Sequence, residues 1–133
     1  MLKTSPSGSL CPYFYMGGEL HPLKYGSHLD RKEELMAVMK AEEAFILQSS
    51  GLHNRRIWVD LYETTLDDEV IAALVDHLAA IESKIHKICL VGCSSQSERR
   101  IRKRMKGCRM GIEKTIRFYA DPEEAKKWLV GVK

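Results

Sequence analysis

Three short, mostly apolar runs alternate with three segments of helical periodicity from residue 56 onward, and this alternation most constrains the fold. The runs are RIWVDLY at 56–62, IHKICLVG at 85–92 and KTIRFYA at 114–120. Nearly unbroken apolar strands are typical of a parallel sheet that is buried on both faces. Alternation with short connections predicts parallel strands, joined by right-handed crossovers and covered by helices.

Helices are predicted over 65–84, 95–106 and 121–132. The first begins with a capping-box pattern, Thr65 with Asp68. The last has Asp121 as its cap and proline at its first position. Helical spacing predicts the residues that pack against the sheet. They are Val70, Leu74, Leu78, Ile81, Ile101, Met105, Cys108, Ala125, Trp128, Leu129 and Val132.

The N-terminal part predicts a loose segment followed by a strand pair. Residues 1–9 are rich in Ser, Gly and Pro and are expected to be loose. A strand over 10–16 is followed by a Gly-Gly turn at 17–18 and by a returning strand. Pro22 lacks a backbone N–H, so we expect this returning strand at an edge of the sheet.

A further helix is predicted over 28–51, with Asp30 and Glu33 at its start and Gly51 as its stop. Its inner side is expected to carry Leu35, Val38, Met39, Phe45 and Ile46. Residues 10–133 are therefore predicted to form a single α/β domain. It has a small, mostly parallel mixed sheet with an N-terminal strand pair and about four helices.

Composition is that of an ordinary globular protein, with 133 residues, 44% hydrophobic and 29% charged. The net charge of +3 is too small to argue for a polyanionic partner. No apolar run approaches the roughly 18 residues of a membrane span, so no transmembrane segment is predicted. The first residues lack the apolar core of a secretory signal, and we expect a cytoplasmic protein.

The four cysteines, at 11, 89, 93 and 108, are expected to be reduced thiols. No CxxC motif occurs. The strand at 85–92 would place His86 and Cys89 on opposite faces, which argues against a metal site. Neither a metal nor a cofactor is predicted.

Three stretches and their order resemble the STAS domain superfamily. IWVDLYETT resembles the family's strand ending in Asp-Leu, and ICLVGCSSQSERRI is similar to its strand that ends in Gly before a Ser-started helix. IRFYADPEEAKKWL resembles the last strand and closing helix. The likeness covers about residues 55–132 and is greatest to the SpoIIAA-like group. It implies a STAS fold and a non-catalytic, regulatory protein-interaction module of bacterial type.

The resemblance also implies a protein partner, of kinase, anti-sigma or other signalling type, and leaves a homodimer open. Phosphorylatable members carry Asp-Ser-[Ser/Thr]-Gly where this chain reads YETTLDDEV. Its hydroxyls there are Thr64 and Thr65, and a phosphate would be repelled by Asp67, Asp68 and Glu69. We therefore expect Thr65 to be an N-cap and the acidic junction to be a permanently charged contact surface.

Two segments follow the carboxyl ends of predicted parallel strands, where open α/β sheets tend to bind ligands. One is the junction at 62–69. The other is the turn at 92–97, whose residues include Gly92, Cys93, Ser94 and Ser95. Both are predicted contact regions.

The first alternative is a cysteine-dependent phosphatase. Cys93 and Arg99 stand in a Cys-x5-Arg relation between a strand and a helix, as in phosphatases that hold phosphate in such a loop. Glu98 opposes this function because a carboxylate in the loop would repel substrate phosphate.

The second alternative is nucleic-acid binding through the basic helix. Its basic residues are Arg99, Arg100, Arg102, Lys103, Arg104, Lys106 and Arg109. They would attract phosphates. The segment has no aromatic residue to stack on bases, and Ile101 and Met105 face the core. A solvated basic face is therefore favoured over a nucleic-acid site.

Overall fold

The computed structural model describes residues 3–11, 13–48 and 55–131. Its strands are β1 (Lys3–Thr4), β2 (Leu10–Cys11), β3 (Tyr13–Tyr15), β4 (Gly18–Lys24), β5 (Arg55–Asp60), β6 (Ile85–Val91) and β7 (Arg117–Tyr119). Its α-helices are α1 (Lys32–Gln48), α2 (Asp68–Ile81), α3 (Ser95–Gly107) and α4 (Pro122–Val130). Short 3₁₀ helices span Glu82–Lys84 and Gly111–Lys114.

The main sheet has the strand order β3-β4-β5-β6-β7. β3 pairs with β4 in antiparallel fashion, and every other neighbouring pair is parallel. Trp58 of β5 lies opposite both Pro22 of β4 and Cys89 of β6. The expected α/β fold, with a mostly parallel mixed sheet and an N-terminal strand pair, is confirmed.

The two faces of the sheet are covered unequally. α1, α2 and α3 pack on one face, where Ile57, Val59, Ile88 and Leu90 are buried. α4 packs on the other face against a smaller cluster, which contains Leu20, Trp58, Cys89, Val91, Ala125 and Leu129. The fold thus has a large core on one side and an aromatic-rich core under α4.

The strand that contains Pro22 was expected at an edge of the sheet, but it does not lie there. β4 is the second strand, because β3 covers it. The register gives the reason: β3 pairs only with Gly18–Leu20, whereas β5 pairs with His21–Lys24. Pro22 therefore lies beyond the end of β3, where no strand of the described chain needs its missing N–H.

The segment expected to be loose is instead structured in its described part. β1 and β2 form an antiparallel pair of their own. Ser5 is 2% exposed and Ser9 is 1% exposed, so the intervening turn is packed against the domain. The reason is a buried carboxylate on α1, described below.

Most predicted helices are found with shorter bounds. α1 begins at Lys32 rather than at residue 28, and its predicted stop at Gly51 lies outside the described residues. Ile101 and Met105 of α3 are fully buried as expected, whereas Cys108 is exposed. α4 begins as predicted, with Asp121 accepting a hydrogen bond from the backbone N–H of Glu123. The predicted contact of Val132 lies outside the described residues.

Candidate functional site

The parallel strands β4, β5, β6 and β7 all end at the same edge of the sheet, which we call the carboxyl edge. The junction at 62–69 follows β5, and the turn at 92–97 follows β6. The ends of the two strands are joined by a hydrogen bond from Leu61 N–H to the carbonyl of Val91 at 3.0 Å. The segments that follow touch, because Gly92 lies directly against the backbone of Tyr62. The fold therefore brings the two predicted contact regions together.

Thr64 is held by neighbouring backbone. Its hydroxyl donates to the carbonyl of Tyr25 at 2.7 Å and accepts from the N–H of His28 at 3.2 Å. Thr64 also forms a parallel bridge with Leu29. Its hydroxyl thus ties the junction to the loop after β4, which gives it a structural role.

Thr65 is not the cap of α2, so that expectation is wrong. α2 begins at Asp68, and the cap is Asp67, whose Oδ1 accepts from the N–H of Val70 at 2.9 Å. The side chain of Thr65 is exposed, and its N–H bonds to the carbonyl of Leu29. The helix starts two residues later than the capping-box pattern predicts, because residues 63–65 are occupied by contacts with the loop after β4.

The acidic side chains of the junction are paired within the chain. Lys32 of α1 donates to Asp67 at 2.7 Å and to Glu69 at 3.0 Å. Arg100 of α3 donates to Asp68 and also to the carbonyl of Leu66 at 3.0 Å. The Lys32 ammonium, together with the backbone N–H of Val70, holds the pKa of Asp67 below its usual range.

These pairs fasten the start of α2 to α1 on one side and to α3 on the other. They also neutralise part of the negative charge that the sequence suggested would be available to a partner. What the junction presents to solvent is the exposed set Tyr62, Glu63, Thr65, Asp68 and Glu69. This exposed surface is therefore polar, and ion pairs to α1 and α3 hold it in place.

The turn after β6 is tight and depends on Gly92. Its φ is +89°, and a Cβ at this position would lie 2.6 Å from the backbone nitrogen of Tyr62. Ser94 then caps α3, with its Oγ accepting from the N–H of Ser97 at 3.1 Å. Gly92 and Ser94 thus have conformational roles, and Ser95 and Gln96 are exposed at the carboxyl edge.

Cys93 lies in the turn but is not prepared as a nucleophile. Burial raises the pKa of its thiol to about 12, and the nearby Glu98 carboxylate acts in the same direction. The side chain packs against the large core. A catalytic cysteine needs its thiolate near neutral pH, which usually requires an electropositive site. These surroundings favour the neutral thiol.

The basic residues of α3 fall into two groups. Arg100, Arg102 and Arg104 have acidic partners within the chain: Asp68, Glu98 and Asp76 respectively. Arg102 also donates to the carbonyls of residues 113 and 116.

The second group is solvent-exposed. Arg99, Lys103 and Lys106 make no hydrogen bond or ion pair with the described residues. The basic face is consequently narrower than the sequence suggests, and half of it serves to hold α3 in place.

A buried polar cluster around Glu42 was not predicted. Glu42 of α1 is 0% exposed. Its carboxylate accepts from the hydroxyls of Ser5 and Ser7 and from the N–H of Ser7, and its Oε1 lies 3.1 Å from His21 Nε2. Burial by itself would raise the pKa of Glu42, but the hydrogen bonds from His21, Ser7 and Ser5 outweigh it and hold the pKa low.

This cluster holds the β1–β2 segment on the domain. The sequence contains a signal for it, because Glu42 interrupts the apolar row Leu35, Met39, Ile46 at helical spacing. A charged residue in such a row indicates a buried carboxylate or a break in the pattern.

A second buried polar chain runs from the sheet to α1. Tyr25 Oη lies 2.7 Å from His77 Nε2, and His77 Nδ1 lies 3.2 Å from Glu43 Oε1. Burial raises the pKa of Tyr25 and lowers that of His77. The chain adjoins a cavity of about 290 Å³ between α1 and α2, part of whose wall is His77. Its groups satisfy one another, which favours a structural role.

Comparison with known proteins gave no match to a family model, to a curated protein or to a solved structure. None of the described helices has both the length and the apolar character required to cross a bilayer. Among the described residues, no three His, Cys, Asp or Glu side chains are grouped closely enough to hold a metal ion.

Proposed function

We propose that this chain is a non-catalytic, STAS-like regulatory module that binds a protein partner through its carboxyl edge. The proposal takes its family from the three stretches and their order in the sequence. The strand pair, one helix and three strand–helix units of the fold are compatible with it.

The observation that carries the non-catalytic part is the state of the candidate residues. Thr64, Asp67, Asp68 and Ser94 are each engaged in a hydrogen bond or ion pair that stabilises the local backbone or the packing of a helix. Cys93 is half-buried, and its raised pKa opposes nucleophilic chemistry. An edge built in this way can present a fixed shape to a partner but offers no activated group.

A cytoplasmic location is part of the same proposal. All four cysteines are free thiols, with Cys89 buried and Cys108 exposed. An exposed free thiol is compatible with a reducing compartment.

The test compares exposed positions on the carboxyl edge with an exposed position at the opposite end of the parallel strands. Thr65→Arg and Ser95→Arg each place a long cation on the carboxyl edge, and Ser83→Arg places the same group in the 3₁₀ helix at the opposite end. Proteins that co-purify with the wild-type chain from its host are isolated, and each is titrated against the wild type and the three variants. The proposal predicts that at least one co-purified protein binds the wild type and Ser83→Arg with equal affinity. The same protein should bind Thr65→Arg and Ser95→Arg with an affinity lower by about tenfold or more.

Equal binding of every co-purified protein by all four chains would contradict the proposed edge. The phosphatase alternative is tested separately with an aryl phosphate, using Cys93→Ser as the control. Turnover by the wild type that Cys93→Ser abolishes would overturn the non-catalytic assignment.

A further inference from the structure

We infer that the free edge of β7 binds an extended peptide in which acidic and apolar residues alternate. This site is separate from the carboxyl edge and does not depend on the STAS-like assignment. The inference rests on the position of β7, on the charge of the groove beside it and on the different chemistry of its two faces.

β7 is the last strand of the sheet. It pairs with β6 on one side, and no strand of the described chain pairs with its other side. An unpaired edge exposes backbone N–H and C=O groups that can bond to another extended chain. Peptides commonly bind in this way, with main-chain hydrogen bonds for affinity and alternate side chains for specificity.

A groove of about 640 Å³ lies along this edge. Its charged lining comprises Lys87, Arg102, Lys114 and Arg117 against Glu98 alone, which leaves a formal charge of +3 with His86 neutral. That equals the net charge of the whole chain. Because Glu98 is bound to Arg102 at 3.1 Å, the cations that remain for a ligand are the other three.

The groove differs between the two faces of the sheet. On the α4 face, Lys87 and Arg117 lie 5.1 Å and 5.2 Å from the centre of the Trp128 ring. On the α3 face, Phe118 packs against the large core under Arg102, whose charge Glu98 offsets. The α4 face is therefore cationic, whereas the α3 face presents Phe118 beside the paired charges of Arg102 and Glu98.

This asymmetry specifies the ligand. Side chains of an extended peptide point alternately to the two faces of a sheet. Carboxylates at every second position would meet Lys87 and Arg117, and apolar side chains between them would meet Phe118. A second copy of this chain is disfavoured as the occupant, because pairing of two β7 edges would bring these cations against one another.

The probe is a fluorescent eight-residue peptide of alternating Glu and Val with blocked ends, titrated by anisotropy at low and physiological salt. Three further probes accompany it. One is a peptide with four Glu followed by four Val, one is the alternating peptide N-methylated at every second residue, and one is an octathymidylate. We expect the alternating peptide to bind most tightly, and the amide signals of residues 115–119 to shift in NMR spectra.

Two double variants distinguish binding in this groove from non-specific attraction to positive charge elsewhere on the surface. Lys114→Gln with Arg117→Gln removes two exposed cations from the groove, whereas Lys103→Gln with Lys106→Gln removes two exposed cations from α3. The first pair should weaken binding of the alternating peptide about fivefold, and the second should not change it. Equal thermal midpoints show that both variants fold.

Equal binding of the alternating, block and N-methylated peptides would overturn the inference, since strand addition needs both the backbone groups and the alternation. Tighter binding of octathymidylate, weakened equally by both double variants, would also overturn it in favour of a nucleic-acid surface. The absence of detectable peptide binding at low salt would do the same.

Discussion

Lys32 Nζ, at the start of α1, lies 2.7 Å from Oδ2 of Asp67, the residue that caps α2. The other carboxylate oxygen of Asp67 accepts from the N–H of Val70. One side chain thus joins two helices and satisfies a free backbone donor at the start of α2. The acidic junction, which the sequence suggests as a contact surface, owes its shape to this relationship.

Replacement of Asp67 should change the acid dependence of stability. The pKa of Asp67 is lowered in the folded protein. Its contribution to stability is therefore present above the unfolded-state pKa of about 4 and is lost as pH falls through the folded value. Asp67→Asn should therefore have a lower free energy of unfolding than the wild type at pH 7. Its free energy of unfolding should also fall less steeply below pH 4. Urea unfolding across this pH range measures both effects, and an unchanged pH profile would contradict the role of the pair.

Glu42 should be among the most sensitive positions of the chain. Glu42→Leu leaves the hydroxyls of Ser5 and Ser7 and the ring of His21 without their acceptor, and we expect a loss of about 3 kcal/mol of unfolding free energy. The β1–β2 segment should also become susceptible to proteolysis. Glu33→Leu, at an exposed position of the same helix, is the control and should change stability by less than about 0.5 kcal/mol. Equal effects of the two would refute the buried cluster.

Gly92 and Gly107 should respond differently to replacement by alanine. Gly92→Ala requires a positive φ and places a methyl group against the backbone of Tyr62, so we expect a loss of more than about 1 kcal/mol. Gly107 ends α3 and has open space around it, so alanine there should be neutral or stabilise by up to about 1 kcal/mol. Chemical denaturation of both variants tests this contrast.

The cysteines should alkylate in an order set by burial and pKa. Cys108 is exposed and should react first with iodoacetamide at neutral pH. Cys89 is buried, and burial raises its pKa to about 12, as it does for Cys93. Both should stay unmodified until the protein unfolds. Mass spectrometry of timed samples gives the order, and rapid modification of Cys93 in the folded protein would reopen the phosphatase alternative.

Local patterns predicted the elements well because their causes lie within a few residues. The apolar stripe of α2 is buried as expected, as are Ile101 and Met105 of α3, although Cys108 is exposed. Asp121 with Pro122 begins α4 as the sequence indicates. The sequence pattern places the cap of α2 at Thr65, but the structure has it at Asp67. Thr65 and Asp68 fit a capping box, but contacts of residues 63–65 with the loop after β4 delay the helix to Asp68.

The sequence by itself determined the α/β class, the parallel strands and the place where the two candidate segments meet. Periodicity and the order of elements suffice for these. Only the tertiary structure decided that Lys32 and Arg100 neutralise part of the junction's negative charge, that Glu42 holds the N-terminal segment, and that the Cys93 thiol is kept neutral. Each of these depends on residues far apart in the chain, whose distance, burial and charge are set only when the helices pack on the sheet.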